Sequence, residues 1–495
     1  MAGQGTKLSR ELNIWEAIGI SVALMAPSMA ANINPQGMVG SVGRAIPLTF
    51  VIATVGVLLV AYTFVRLTQR FHHSGSVYGF VGATLGPRPG VVAGWCLFGT
   101  YTFYCVVTAT AASRFLASFL DSTGIWKSPP DNIVLPLVAI VLLGVLWLTI
   151  SPVRLGTRTL LSIEGATVAL ILVVSLIILA KIAGGHGPNG SGITFSPFTL
   201  AGGHHDVFLG VVFGFLSFAG FEAAATLGEE TKHPRRDIPR AILGTAIFGG
   251  VYFVFVTWVE VMGFGTNAQG LKNFVSSGAL VGDLGTQYVG SWLGNLITIG
   301  AAISAFGCAL ACAVGASRLL YALSRDGVAP GLFAGVHENK RTPVAAAVAV
   351  VIAAYVLELI LWFVYPPTAA NGETPRSLSV FFATGTIGTL ILLIAYIIAT
   401  VGVIKLLFGS GQRVVAAWEV IIPVAGIIVL AYTLWRNIHP FPTGQARIAP
   451  LVAAAWFVIG VIYVLASPKR AKAAGEKLTA DEGLVAHTAG AVEPV

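Results

Sequence analysis

Five acidic residues of this chain stand among apolar neighbours: Glu164, Glu222, Glu260, Glu358 and Glu419 each interrupt or border a long hydrophobic stretch. An ionised carboxylate in such a setting is costly and is retained where it faces a cavity or a partner. Glu222 is the sharpest of them. It interrupts the run VFGFLSFAGFEAAATLG, in which Ser217 and Gly220 also stand where a continuous apolar helix would carry leucine. Its chemical reading is a group that takes up and releases a proton. Its structural reading is a buried acid hydrogen-bonded to backbone freed by a helix break. Glu164 reads either as a second proton carrier or as the partner of Arg158, about two turns away. Glu260, Glu358 and Glu419 read as structural.

The backbone offers chemistry of its own. In GISVALMAPSMAANINPQG, Pro27 removes an amide and crowds the preceding turn, so the helix is expected to break there. A second break is expected at Ala219 and Gly220, about 190 residues later. Each break exposes two half-helix ends. The amides of Ser28, Met29 and Ala30, at the positive end of a half-helix, suit a carboxylate. The carbonyls of Met25, Leu216, Ser217 and Ala219 suit an ammonium group. A zwitterionic amino acid carries both complements a few ångströms apart. A diamine would have no use for the amides and would take Glu222 as counter-ion.

The elements that position these groups follow from composition. Apolar residues make up 56% of the 495, while Asp, Glu, Lys and Arg together make up 10%, against roughly 25% in a soluble domain. A soluble enzyme is excluded. Eight stretches of at least 19 residues carry no charge, and four more, Thr159 to Ala180, Val207 to Gly228, Pro343 to Tyr365 and Val414 to Trp435, hold a single acid each. At about 20 residues per crossing, the expectation is an all-α polytopic membrane protein of about twelve transmembrane helices, the seventh running from about Ile238 to Gly263. With both termini on one side, 21 of the 29 basic residues fall on that side, which makes it cytoplasmic. The same bias accounts for the net charge of +8 without a nucleic acid partner. Broken helices at corresponding places in two halves point to the binding site of a secondary transporter. The spacing fits a five-plus-five inverted repeat with helices one and six broken at mid-membrane. Residues 1–13 then form a cytoplasmic N-terminus, 14–406 the ten-helix core, 407–468 two appended helices and 469–495 a disordered cytoplasmic tail.

Three stretches carry a resemblance. FLSFAGFEAAATLGEETKHPRRDIPRAI, SRLLYALSRDGVAPGLF and the loop series Ser74, Gly75, Tyr78, Gly86, Pro87, Gly90, Gly94 and Trp95 are similar to patterns of the amino acid, polyamine and organocation (APC) superfamily of secondary transporters, in order and over residues 12–406. Two departures stand out. Ala26, Pro27, Ser28 and Met29 replace a Gly-Ser/Thr-Gly triplet, and helix five has Glu164 but no lysine between Thr159 and Ala180. The resemblance implies the same substrate-binding assignment, adds Phe218 and Phe221 as pocket wall or gate, and implies an amino acid permease of the plasma membrane working by alternating access with proton-coupled uptake. Glu222, Glu164 and, for sodium, Ser304 are the expected coupling residues. Glu229, Glu230, Arg235, Arg325 and Asp326 are the expected cytoplasmic gate, alongside Arg236 and Asp237.

Other chemistry is sparse. No GxxxxGK[ST] or HExxH occurs, so neither ATP nor a catalytic zinc is expected. His204, His205 and Asp206 read as a loop with Asp206 capping a helix, and Cys96, Cys105, Cys308 and Cys312 as buried packing residues. Tyr101 and Tyr104 read as packing more than as pocket lining. No cofactor is expected, the driving force being a proton or sodium gradient, and the expected partners are an amino acid and membrane lipid. A polyamine transporter or amino acid exchanger of the same family, and a transport-incompetent sensor, are the alternatives.

Overall fold

The computed structural model describes residues 13–71, 77–151, 155–200, 206–227, 231–337, 342–366, 374–409 and 415–467; for residues 155–158, 226 and 227 it describes the backbone alone. Glu229, Glu230, His204, His205 and the 469–495 tail lie outside the described residues. The described chain is helical throughout, in the order α1 (Ile14–Met25), α2 (Pro27–Ile33), α3 (Val39–Val42), α4 (Ile46–Arg70), α5 (Val77–Leu85), α6 (Pro87–Ser122), α7 (Val134–Ile150), α8 (Leu155–Lys181), α9 (Val207–Phe218), α10 (Pro234–Phe264), α11 (Ala268–Ser276), α12 (Leu280–Tyr288), α13 (Ser291–Arg325), α14 (Val344–Val364), α15 (Arg376–Phe408), α16 (Ile421–Arg436) and α17 (Ile448–Ala466). Among the described residues, eleven apolar helical segments are long enough to cross a membrane. The expected sixth span is represented by α9, a shorter apolar helix of 12 residues that stops at Phe218.

Local chemistry starts the first helix. The Asn13 side chain accepts from the amides of Trp15 and Glu16 at 2.9 and 3.1 Å, and the Glu16 carboxylate takes the Asn13 amide at 2.9 Å. This reciprocal cap satisfies donors that a helix start leaves orphaned.

The centre and the rim of the bundle differ in burial. In α6 the apolar window is 83% buried, against 22% for the span of α16 and 28% for that of α17, so α6 is the central post and the last two helices face lipid. Helix α17 docks on α6 through Trp95 and Trp456, whose rings stack at 4.6 Å. Each indole N–H donates to the other residue's carbonyl, at 2.8 and 3.0 Å. Four residues after each tryptophan stands a glycine, Gly99 or Gly460, and a methyl group at either would run into the opposing indole. Helix α16 is pinned by charge at both ends. Glu419 pairs with Arg66 and accepts from the Tyr62 hydroxyl at 2.7 Å, while Arg436 pairs with Asp206. Asp206 therefore spends its carboxylate on α16 and does not cap α9, contrary to expectation.

The segment FVSSGALVGDL (Phe274–Leu284) is divided between two helices. It holds the end of α11, a turn at Ser277 to Ala279, and the start of α12, most of which is buried. The eighth span begins after Gly290, whose φ of 155° ends α12 and opens α13.

Candidate functional site

The break in the first span is narrow. Ala26 alone leaves the helix, at φ 47° and ψ 57°, a left-handed conformation that costs a non-glycine residue roughly 1–2 kcal/mol. Pro27 then opens α2 as its first residue, where it has no amide to lose. Two i to i+4 pairs fail across Ala26, and they orphan the carbonyls of Leu24 and Met25 and the amides of Ser28 and Met29. Helices distant in sequence meet three of these four groups. The Ser28 amide donates to Glu164 Oε1 at 2.9 Å, the Met29 amide to Ser304 Oγ at 3.3 Å, and the Leu24 carbonyl accepts from the Cys308 thiol at 3.3 Å. Ser304 and Cys308 lie one turn apart on α13, so a single helix face serves both sides of the break. Among the described residues the Met25 carbonyl accepts no hydrogen bond. The Ala30 amide is already bonded to the Ala26 carbonyl at 2.9 Å.

The second break is wider. Helix α9 stops at Phe218, Ala219 is extended at φ −56° and ψ 125°, and Gly220 turns the chain at φ 104°. Glycine is needed here twice over. The φ suits no other residue well, and a methyl at 220 would lie 2.9 Å from Leu24 Cγ and 3.0 Å from the Leu24 carbonyl carbon. The two breaks therefore touch each other. The Ala224 amide donates to Ser21 Oγ at 2.9 Å, and Asn34 Nδ2 donates to Ser217 Oγ at 2.8 Å, so both halves of the first span are tied to the sixth.

Between the breaks lies a cavity lined by Leu24, Met25, Met29, Thr100, Tyr101, Tyr104, Thr108, Leu216, Ala219, Gly220, Glu222, Cys308, Cys312 and Leu392. Glu222 is the one carboxylate in that lining, and its Oε2 has no hydrogen-bond partner. The wall is otherwise apolar, sulfur-bearing or hydroxyl-bearing.

Of the residues singled out from sequence, Met25, Met29, Leu216, Ala219, Gly220 and Glu222 line this cavity. Pro27, Ser28 and Ala30 are buried at the break and are not in the cavity lining. Ser217 is committed to Asn34 and to the Phe213 carbonyl at 2.7 Å. Phe218 and Phe221 are not in the cavity lining. Phe218 packs edge-on against Phe253, and Phe221 against Phe64 and Tyr396, within the aromatic core. Glu164 accepts from the Ser28 amide, while the Arg158 side chain, its expected partner, lies outside what the structure describes. Arg325 Nε meets Asp326 Oδ1 at 3.1 Å, and the Tyr78 hydroxyl of α5 donates to Asp326 Oδ2 at 3.0 Å. Arg235 is exposed. Tyr78 and Asp326, taken from two separate sequence patterns, thus meet in space.

Sequence reasoning underweighted Tyr101 and Tyr104 and read Cys308 and Cys312 as packing. The signal was present as spacing: Thr100, Tyr104 and Thr108, and likewise Ser304, Cys308 and Cys312, recur every four residues on otherwise apolar helices. Such a stripe puts hydroxyls and thiols on one face.

A family model for amino acid permeases matches residues 12–463. The chain belongs to the amino acid permease family. This permease is accordingly a multi-pass membrane transporter and not an enzyme. It is 27% identical over 354 residues to the branched-chain amino acid permease BcaP of Bacillus subtilis (strain 168), covering 68% of this chain and 72% of that one. It is 26% identical over 343 residues to the low-affinity putrescine importer PlaP of Escherichia coli (strain K12), again covering 68% and 72%. To the methylthioribose transporter of Bacillus subtilis (strain 168) it is 25% identical over 488 residues, covering 92% of each. These relatives carry different cargo at nearly equal similarity, so the cargo of this permease has to be argued from its own cavity.

Proposed function

We propose that this permease is a secondary amino acid importer driven by protons, seated in the plasma membrane with both termini in the cytoplasm. One observation carries the reading: the Glu164 carboxylate holds the Ser28 amide at the break, 2.9 Å away. A freed amide at the start of a half-helix, beside a cavity, is suited to a carboxylate, and here the protein supplies that carboxylate itself. Protonation of Glu164 removes the charge that makes it a strong acceptor. A substrate carboxylate then takes the Ser28 amide, so that proton and amino acid enter together. The substrate ammonium turns to the Met25 carbonyl and the carbonyl end of α9, with Glu222 as the nearby negative charge. Ser304 acts in this scheme by holding the Met29 amide, which favours protons over sodium as the driving ion.

Alternating access has support in the two halves of the first span. All seven residues of α2 are buried, whereas α1 buries only Ala17, Ser21 and Met25. Asn32 Oδ1 accepts from the amides of Val281 and Gly282 at 2.9 and 3.2 Å, and Gln36 Nε2 donates to the carbonyls of Phe274 and Ser277 at 3.1 and 2.8 Å. The half of the site away from the termini is thus closed by α11 and α12, and the route out runs along α1. The Tyr78–Asp326 bond, with Arg325 and Arg235, forms the cytoplasmic gate in this reading.

A polyamine importer is the second reading, favoured by the presence of one carboxylate at each break. Purified protein in vesicles, given labelled amino acids or putrescine under a proton or a sodium gradient, separates the readings. Accumulation of an amino acid under the proton gradient is the expected result. Accumulation of putrescine alone would replace the leading reading with the second.

A further inference from the structure

Cys308 remains unassigned by this scheme, yet its thiol holds one of the orphan carbonyls at the cavity wall. We propose that Cys308 is a displaceable donor that reserves the Leu24 carbonyl for the ammonium group of the cargo; this rests on the proposed function. Helix α1 ends in two such carbonyls; among the described residues Met25 O accepts nothing and Leu24 O accepts only the thiol, at 3.3 Å. Both residues line the cavity with Cys308 and Glu222. A thiol is a weak donor. It spares a buried carbonyl from being unsatisfied, and an ammonium group, whose hydrogen bonds are charge-assisted and roughly twice as strong as neutral ones, replaces it. Ser304, one turn away, makes the contrast plain: there an amide must be satisfied, the side chain has to accept, and a hydroxyl oxygen does so at 3.3 Å.

The idea separates three side chains that differ little in size. Serine at 308 donates a stronger bond to Leu24 O and raises the cost of displacement; alanine offers no competing donor. Cys308→Ser is therefore expected to raise the uptake KM and Cys308→Ala to lower it, each by about fivefold, with maximal rate changed less than twofold. A cysteine that only fills space would give KM shifts of the same sign for both, and that result overturns the proposal. A second readout uses the unaltered protein. In vesicles, saturating cargo should slow alkylation of Cys308 by a small maleimide at least fivefold, measured by mass spectrometry of the peptide, while alkylation of Cys96, which is not in the cavity lining, stays unchanged. Vesicles that accumulate cargo yet show no protection of Cys308 overturn this inference and leave the proposed function standing. Vesicles that accumulate neither an amino acid nor putrescine overturn both. Protection by putrescine as well as by an amino acid is expected, since both bring an ammonium group.

Discussion

The two breaks in this permease are satisfied in opposite ways. At Ala26 one residue leaves the helix and the protein closes three of the four freed groups itself, with Glu164, Ser304 and Cys308. At Ala219 and Gly220 the chain opens over several residues, and Glu222 presents a carboxylate oxygen that has no partner. The first break is therefore a set of exchangeable internal contacts, and the second is a fixed opening that gives the cavity its charge. A group in the first set acts by letting go. A group at the second acts by staying where it is.

That contrast is broken most severely at Gly220, where the breaks touch. Gly220→Val imposes a strained φ and drives side-chain atoms into Leu24; uptake by reconstituted protein should fall at least about tenfold, from strain of roughly 1–3 kcal/mol before the clash is added. Glu164 comes next. Uptake should rise as pH falls, because protonation releases the Ser28 amide. Glu164→Gln, which keeps an acceptor oxygen but carries no proton, should flatten that pH profile. Glu164→Ala should in addition lower thermal stability, since an orphaned buried amide costs about 1–3 kcal/mol. Glu222→Gln is smaller: KM for an ammonium-bearing cargo should rise several-fold, with pH dependence reduced and thermal stability maintained, because the unpartnered oxygen gives up no hydrogen bond. Trp456→Ala sharpens the comparison from outside. Loss of the stack on Trp95 should lower the melting temperature by a few degrees, in line with about 0.5–1.5 kcal/mol for such a pair, and leave KM where it was.

Most of the fold was readable in the sequence, because crossing a membrane demands long uncharged runs and punishes every exception. The sixth span shows why even its defect was readable: Ser217, Gly220 and Glu222 sit where lipid-facing residues would be leucine. The boundary at Gly290 was not, since the run from Leu284 to Ser317 carries no charge and a turn inside it changes none. The site was half readable. Pro27 and Gly220 announce the breaks locally, but the groups that fill the first break come from 136 and 275 residues away, and no local pattern links Glu164 or Ser304 to Ser28 and Met29. Arg158 is the nearest charge to Glu164 in sequence, and nothing local announces that the freed Ser28 amide, 136 residues away, meets the same carboxylate. Phe218 and Phe221 are absent from the cavity lining for reasons no local pattern carries: Phe218, the last residue of α9, packs on Phe253, and Phe221, beyond the unwinding at Ala219, packs on Phe64 and Tyr396.

The central claim is that Glu164 and the substrate carboxylate compete for one amide and that a proton decides between them. It is tested most directly by following lumenal pH with an enclosed dye as an amino acid is added outside vesicles holding the permease. The parent protein should acidify the lumen when the amino acid enters, and Glu164→Gln should carry the amino acid down its gradient without moving protons. Equal acidification by both proteins would contradict the account.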